Sequence, residues 1–323
     1  MTDVRLGVIG AGHIARAVHL PTLRRLPGVA VTAIAEPAPA ARAAAGRLVP
    51  EAVLVAEAGD LLGRADVDGV LVSAPSGLHA ELAVATLRAR KHLYLEKPIA
   101  TDLAAAARVV DAGRDAGVVA MLGFNRRFHP LVLRLRELVG KGRLGEVRRA
   151  TTSFSEPYAP ERMPGWKRQR ASGGGCLLDL ALHHVDLLRF VLTTEVESVE
   201  ATIRSRRTDD DEAELRLGLA DGTAAVVRCS FLAARRDVVE LDGARARVRL
   251  DRYAGTLRGA GRARSFSPRR LALRARCVLR PGSDPSYARA LSAFVARIRG
   301  EPVAVPSLDD GLRSLEVVLA AEG

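Results

Sequence analysis

The chain has 323 residues, of which 48% are hydrophobic and 4% aromatic, and its formal net charge is +12. That length suits two domains, each with a core of its own. No apolar run approaches the ~18 residues of a membrane span, and Met1-Thr2-Asp3 lacks a basic leader, so neither a membrane protein nor a secreted one is expected.

Val4–Ile9 is a compact apolar run, and Gly10-Ala11-Gly12-His13-Ile14-Ala15 follows at once. The spacing predicts a strand, a glycine turn and a helix from Ile14 to about Arg25. This is the glycine fingerprint of a dinucleotide site, with Ala15 in the variant third position. Gly10 permits the tight turn, and Gly12 lets the backbone approach a pyrophosphate at the helix N-terminus. A second strand, Val29–Ala35, ends in Glu36, an acid spaced to hydrogen-bond the ribose hydroxyls of the adenosine half. A carboxylate there repels the extra phosphate of NADP, so NAD(H) is favoured. Arg42, six residues on, can offset this and leaves NADP possible.

Further strands near Val53–Val55, Gly69–Ser73, Leu93–Glu96 and Val118–Gly123 alternate with Ala-rich helical stretches. That alternation implies a parallel doubly wound α/β sheet, whose ligands sit at the carboxyl ends of the strands. Glu96-Lys97-Pro98 lies at such an end. Lys97 reads either as a group that holds an oxyanion or shares a proton with a hydroxyl, or as a solvated lysine capping its strand.

From about Phe124 the pattern changes. A helix from Pro130 to Val139 leads to a strand, Glu146–Phe154, and to the loop Glu156–Arg170. Tyr158, Trp166, Lys167 and Arg168 in this loop are either substrate contacts or an ordinary surface loop with a core tryptophan. The glycine run Gly173-Gly174-Gly175 gives a backbone able to pack on a flat ligand, and a helix follows. Asp179 and His183 share one face of it, with Asp186 within reach. They read as an oriented acid–base pair or as a capping Asp and a satisfied core His. His184 points elsewhere and reads as structural or as part of a pocket wall. Strands Val196–Arg204, Glu212–Leu219, Ala224–Phe231, Val238–Leu241 and Arg247–Leu250 then predict a largely antiparallel sheet, and helices near Ser286–Arg299 and Leu308–Ala321 close the chain. The expected division is a Rossmann domain over 1–123 and an α+β domain over 124–323. Its predominantly antiparallel open sheet would hold the substrate against the nucleotide domain, and the last helices can pack back on the first domain.

These motifs together resemble the Gfo/Idh/MocA family of NAD(P)-dependent sugar and polyol oxidoreductases. The resemblance rests on Gly10-Ala11-Gly12 with His19-Leu20-Pro21, Ala74-Pro75-Ser76 with His79, and Glu96-Lys97-Pro98. It extends through Gly123–Phe128 and Gly173–Asp186 to Tyr287, Phe294 and Asp309-Asp310-Gly311. The family implies Lys97, Asp179 and His183 as the catalytic set, with Glu96 and Asn125 positioning cofactor or substrate. Ala74, Pro75 and His79 then join Gly10, Gly12, His13, Ile14 and Glu36 on the cofactor, and Lys97, Arg127, Tyr158, Trp166, Lys167 and His184 are the candidate substrate contacts. The Lys97-Pro98 bond is similar to one that is often cis in that family. The chain departs from the usual pattern at Ala74, Ser76 and Ala181.

Cys176, Cys229 and Cys277 are widely spaced and odd in number, which fits a reducing cytoplasm, and no metal site is expected. Between Arg245 and Arg280 twelve arginines face one acid, Asp251, nearly the whole charge surplus. That stretch reads as a solvated sheet face, an anion-binding surface or a nucleic-acid patch. No aromatic platform accompanies it, so no nucleic-acid partner is expected. The sequence therefore points to a cytoplasmic, homo-oligomeric enzyme that exchanges hydride between NAD and a small sugar, cyclitol or polyol. A redox-neutral sugar-modifying enzyme and a cofactor-sensing regulatory protein are the alternatives.

Overall fold

The computed structural model describes residues 3–159, 161, 163–259 and 284–321. Its contacts divide the chain into two units, one of residues 1–125 with 284–313 and one of residues 126–283 with 314–323.

The first unit begins with β1 (Val4–Ile9), α1 (Leu20–Leu23), β2 (Val29–Ala35), α2 (Pro39–Leu48), β3 (Val53–Val55) and α3 (Ala58–Leu62). It continues through β4 (Gly69–Val72), α4 (His79–Arg88), β5 (His92–Leu95), α5 (Leu103–Ala116) and β6 (Ala120–Leu122). All pairings are parallel, in the order β3-β2-β1-β4-β5-β6. Parallel strands are covered on both faces, and so read as unbroken apolar runs; every residue of β4 is buried. The order reverses between β1 and β4, so the loops after these strands diverge, which creates the crevice where such sheets bind ligands.

The expected first helix is not one regular element. Residues Ala15–His19 take a π-helical turn, closed by the Leu20 N–H on the Ala15 carbonyl, before α1. Pro21 has no N–H to give, so the ordinary ladder is interrupted one turn after the glycines.

The second unit carries α6 (Pro130–Gly140), β7 (Val147–Ser155), α7 (Leu182–Leu192), β8 (Val196–Arg204), β9 (Glu212–Leu219) and β10 (Ala224–Ser230). β11 (Arg236–Gly243), β12 (Arg247–Asp251) and β13 (Thr256–Gly259) complete its sheet. The order is β13-β12-β11-β7-β10-β9-β8. The five strands read from the sequence pair antiparallel as β8-β9-β10 and β11-β12, but β7 enters between β10 and β11 and runs parallel to β10. A parallel neighbour needs a crossover, and residues 156–195 supply it. β13 had no clear signal in the sequence.

One face of this sheet is buried under helices, through Ala150, Phe154, Leu215, Val227, Val239 and Leu250. The other face is polar. Cross-strand pairs join Arg228 to Glu214 at 2.8 Å, Arg247 to Asp242 and Arg249 to Glu240. Of the twelve arginines in the basic stretch, those at 262, 264, 269, 270, 274, 276 and 280 lie outside the described residues.

After the second sheet the chain returns to the first unit with α8 (Pro285–Ile298) and the beginning of α9 (Leu308–Ala320). Phe294 of α8 packs edge-on against Tyr94 of β5, with ring centroids 5.7 Å apart. None of the described helices is long and apolar enough to cross a membrane.

Beneath the second sheet lies a buried charge cluster. Asp237 has no exposed surface; it pairs with Arg126, with Arg252 Nε at 2.9 Å and with His184 Nε2 at 3.3 Å. The Arg126 guanidinium also lies 3.8 Å from the Phe154 ring centroid, and His184 stacks on that ring. Burial alone would raise the Asp237 carboxyl, but the two guanidiniums hold it far below the ordinary carboxylate range. Its stabilising contribution is thus complete above about pH 4, where the unfolded carboxyl is ionised, and falls away in stronger acid.

Asp237→Asn leaves two buried guanidiniums without their anion and is expected to cost about 3–5 kcal/mol. Urea titration followed by fluorescence of Trp166, the one tryptophan of the chain, reads this unit directly. A loss below about 1 kcal/mol would show that the cluster tolerates the missing charge.

Candidate active site

In the first unit, Gly10 adopts φ +87°, and a Cβ there would lie 2.7 Å from the Ala74 nitrogen and 2.8 Å from the Ser73 carbonyl oxygen. Only glycine allows β1 to end this close to the loop after β4. Ser73 Oγ donates to the Gly10 carbonyl at 2.9 Å, a tie with no motif signal in the sequence. Gly12 is exposed, and a Cβ on it would meet nothing within 4 Å. Its missing side chain therefore serves no contact within the protein and leaves an open backbone edge at the helix start. His13 is exposed beside it and Ile14 half-buried.

The Glu36 carboxylate spans this turn. Oε2 accepts from the Ala11 N–H at 2.7 Å and Oε1 from the Ala38 N–H at 2.9 Å. Arg42 Nη1 donates to the Glu36 carbonyl at 2.6 Å and to the Pro37 carbonyl at 3.2 Å. The acid is thus fixed beside the glycines, and the arginine is tethered to the backbone after β2. An open backbone edge with a fixed carboxylate beside it fits the phosphates and adenosine ribose of a dinucleotide.

The loops after β4 and β5 are joined by His79. Its Nδ1 lies 2.6 Å from the Pro98 carbonyl and its Nε2 2.9 Å from the Ala74 carbonyl. Burial lowers the His79 pKa, against the two carbonyl contacts, which raise it. Pro75 is exposed and Ala74 half-buried on this loop. The Lys97-Pro98 bond is cis, as the family resemblance suggested. Behind Lys97, the Glu96 carboxylate pairs with His19 Nε2 at 2.9 Å, and His19 is wholly buried against the edges of Tyr94 and Tyr287. A Cβ on Gly123 would sit 3.2 Å from Glu96 Oε2, so that glycine gives the carboxylate room. Asn125 Nδ2 donates to Ser286 Oγ of α8 at 2.9 Å, a partnership across 161 residues of sequence that no local pattern announces.

In the second unit, the helix of Asp179 and His183 starts as a π turn over Leu177–Ala181, with the Leu182 N–H on the Leu177 carbonyl, and becomes regular in α7. The sequence suggested a uniform helix; π turns of this kind are frequent at functional sites. His183 is largely buried, with its ring 6.2 Å edge-on from Phe154. Asp186 is held by Arg127, whose Nε lies 2.9 and 3.1 Å from its two oxygens. His184 is part of the Asp237 cluster, the structural side of its two readings.

Asp179 Oδ2 takes the Lys167 ammonium at 2.7 Å. Lys167 also donates to Tyr158 Oη at 3.3 Å and lies 4.4 Å from that ring's centroid. Burial is the largest single influence on the Lys167 pKa and lowers it, but the charge and hydrogen bonds of Asp179 and Tyr158 together outweigh it and the net shift is upward. Burial pushes the Tyr158 phenol up. Trp166 is half-buried and not a core residue. The glycine run serves the protein's own backbone: a Cβ on Gly174 would lie 2.4 Å from the Lys167 carbonyl oxygen. Cys176, at the head of the π turn, has its Sγ 3.0 Å from Cys229 Sγ, and burial raises its pKa well above the ordinary range, so it stays an unreactive thiol.

A second polar group stands at the end of β7. Tyr253 Oη donates to Glu156 Oε2 at 2.6 Å, and Arg235 pairs with the same carboxylate. None of the three carried a motif signal, and only the register of β7 against β11 brings Arg235 near Glu156.

Comparison with known proteins agrees with these features. The oxidoreductase family with an NAD-binding Rossmann fold matches residues 4–124, and the GFO/IDH/MocA C-terminal domain matches residues 132–249. The 1,5-anhydro-D-fructose reductase of Ensifer adhaerens is 31% identical, over 98% of this chain and 94% of its own length. The inositol 2-dehydrogenase of Rhizobium meliloti is 29% identical, over 98% and 96%. The crystal structure of a 3-ketoreductase from Actinomadura kijaniata, solved with NADP and TDP-benzene, superposes with a TM-score of 0.83 at 26% identity, covering 99% of this chain and 97% of that one. With an open glycine turn beside Glu36 and both domain types matched along the chain, the protein is a member of the Gfo/Idh/MocA family of NAD(P)-dependent oxidoreductases.

Proposed function

We propose that the enzyme exchanges hydride between the nicotinamide of NAD and a hydroxyl-bearing carbon of a sugar, cyclitol or related polyol. The observation that carries this reading is the Gly10–Gly12 turn, open at Gly12 and flanked by the anchored Glu36 carboxylate. The relatives are named for inositol and for 1,5-anhydro-D-fructose, which supports a polyhydroxylated substrate.

The nicotinamide supplies the hydride acceptor when bound. Lys97 of the first unit and Asp179 and His183 of the second supply the rest. In the oxidising direction His183 takes the hydroxyl proton, Lys97 stabilises the developing alkoxide, and Asp179 holds the imidazole in its working orientation. Base catalysis of this kind contributes roughly 10²–10⁴-fold. Two buried thiols, Cys176 and Cys229, suit a cytoplasmic site of action.

Lys97→Ala and His183→Ala should keep cofactor affinity and melting temperature while turnover falls by at least about 10²-fold. Rates on a panel of sugars, cyclitols and nucleotide-sugars, followed by nicotinamide absorbance, provide the test. Parental turnover in either variant would remove that residue from the chemistry.

Glu36 sets the cofactor preference in the same reading, because a carboxylate that takes the ribose hydroxyls would repel an extra phosphate on that ribose. Calorimetric titration is expected to show tighter NADH than NADPH binding, with the gap narrowed in Glu36→Ser. Tighter NADPH binding by the parent would reject this role.

We further propose a homo-oligomer formed through the polar face of the second unit's sheet. Arg228, Arg247 and Arg249 are each matched with an acid on a neighbouring strand, so two such faces can meet without a surplus of like charge. Light scattering should give a multiple of 34.4 kDa at micromolar concentration. A single monomeric mass would exclude the assembly.

A further inference from the structure

The sequence offers Lys167 as a substrate contact or as part of an ordinary surface loop. Its surroundings assign it elsewhere. Of the three N–H groups on its ammonium, one meets Asp179 Oδ2 at 2.7 Å and one meets Tyr158 Oη at 3.3 Å. The side chains of Lys167 and Asp179 are only 15% and 20% exposed, which makes removal of one partner far more costly than for a surface pair.

The backbone of Lys167 is fixed as firmly as its ammonium. Its carbonyl accepts from the Gly175 N–H at 3.3 Å, and Gly174 has no Cβ to keep it away. On its other side, the Asp209 N–H donates to the Arg168 carbonyl at 3.1 Å, and Asp209 Oδ2 accepts from the Arg170 N–H at 3.0 Å. That neighbouring loop is itself rigid. The wholly buried Asp211 carboxylate gathers the N–H groups of Arg206, Arg207 and Thr208, and the Asp210 carbonyl accepts from Cys176 at 2.7 Å. Lys167 therefore touches the glycine run through its main chain and the π turn, four residues further along, through its side chain.

We propose that Lys167 is a positioning residue for Asp179, the fixed counter-ion that keeps its carboxylate ionised and aimed. The proposal rests on the reading in which Asp179 works with His183. A carboxylate that orients an imidazole must stay ionised, and a neighbouring ammonium favours the ionised form. Tyr158 faces the pair and Glu156 acts on Tyr158; His183 follows Asp179 by one helical turn, and Cys176, Asp210 and Arg170 belong to the neighbouring glycine run and loop.

The test compares K167M, K167Q, K167R and D179N for kcat and KM across pH, for cofactor affinity by calorimetry and for melting temperature. K167M is expected to lower kcat by about 10-fold or more, with substrate KM within about 3-fold of the parent, because misaimed catalytic groups cost rate before binding. The acid limb of its kcat profile should move up by about one pH unit, since the carboxylate loses its cation. K167R should recover most of both effects, and cofactor affinity should not change. K167Q keeps a donor to Tyr158 without the charge and carries the same expectation where K167M does not fold.

A large rise in KM at parental kcat would make Lys167 a substrate contact and overturn the proposal. So would a lowered melting temperature with the pH profile intact. Parental kcat in D179N would sink the underlying reading of Asp179, whereas an impaired D179N beside a parental K167M would sink the Lys167 proposal alone. In the double variant K167M/D179N, the lysine change should add nothing to the loss in D179N.

Discussion

The buried Asp237 carboxylate is the constraint on which the second unit depends. Three separate pieces of chain deliver its partners: Arg126 from the segment before α6, His184 from α7, and Arg252 from the turn after β12. An ion so deeply buried persists only while all its partners are in place. The cluster therefore fixes α7 against the sheet, and with it the direction of His183, the neighbour of His184. A wholly buried residue thus sets the geometry of one that is proposed to meet substrate.

The first unit is held by a different kind of constraint, the absence of atoms. Gly10 lets β1 approach Ser73 and Ala74, Gly123 makes room for Glu96, and Gly12 leaves a backbone edge open. Polar ties then fix what the glycines allow: Ser73 on Gly10, Glu36 on Ala11, and His79 between the loops after β4 and β5. In the second unit the same economy appears at Gly174, but there the space admits the protein's own main chain.

Much of this could be read in the sequence because its signals are local. The alternation of strands and helices, the glycine turn followed by an acid after β2, and the Glu96-Lys97-Pro98 strand end each sit within one short window. What could not be read depends on register and on distant pairing. Nothing near Asp237 marks it as the partner of Arg126, which lies 111 residues away. Asn125 and Ser286 meet only because α8 returns to the first unit. The π turns also escape a simple count, since a helix of one period was assumed where Pro21 interrupts the first and the glycine run starts the second. The pairing of Lys167 with Asp179 escapes the sequence for a related reason: a cation in a loop before glycines looks exposed until its anion, twelve residues on, is seen to curl back over it.

The place of β7 in its sheet has a consequence for how the chain folds. β7 bonds to β10 and β11, strands that begin some seventy to ninety residues later, so it cannot complete its ladder until nearly the whole sheet has formed. Pairings of such long sequence separation are slow, because the intervening loop must lose its freedom before any contact repays it. Between β7 and β8 lie the glycine run, the π turn and α7, which carry Asp179 and His183. On a ribosome these residues leave the exit tunnel well before the strands that will seat them. The segment that carries Asp179 and His183 thus takes its final place only when β10 and β11 close on β7, late in the life of the nascent chain.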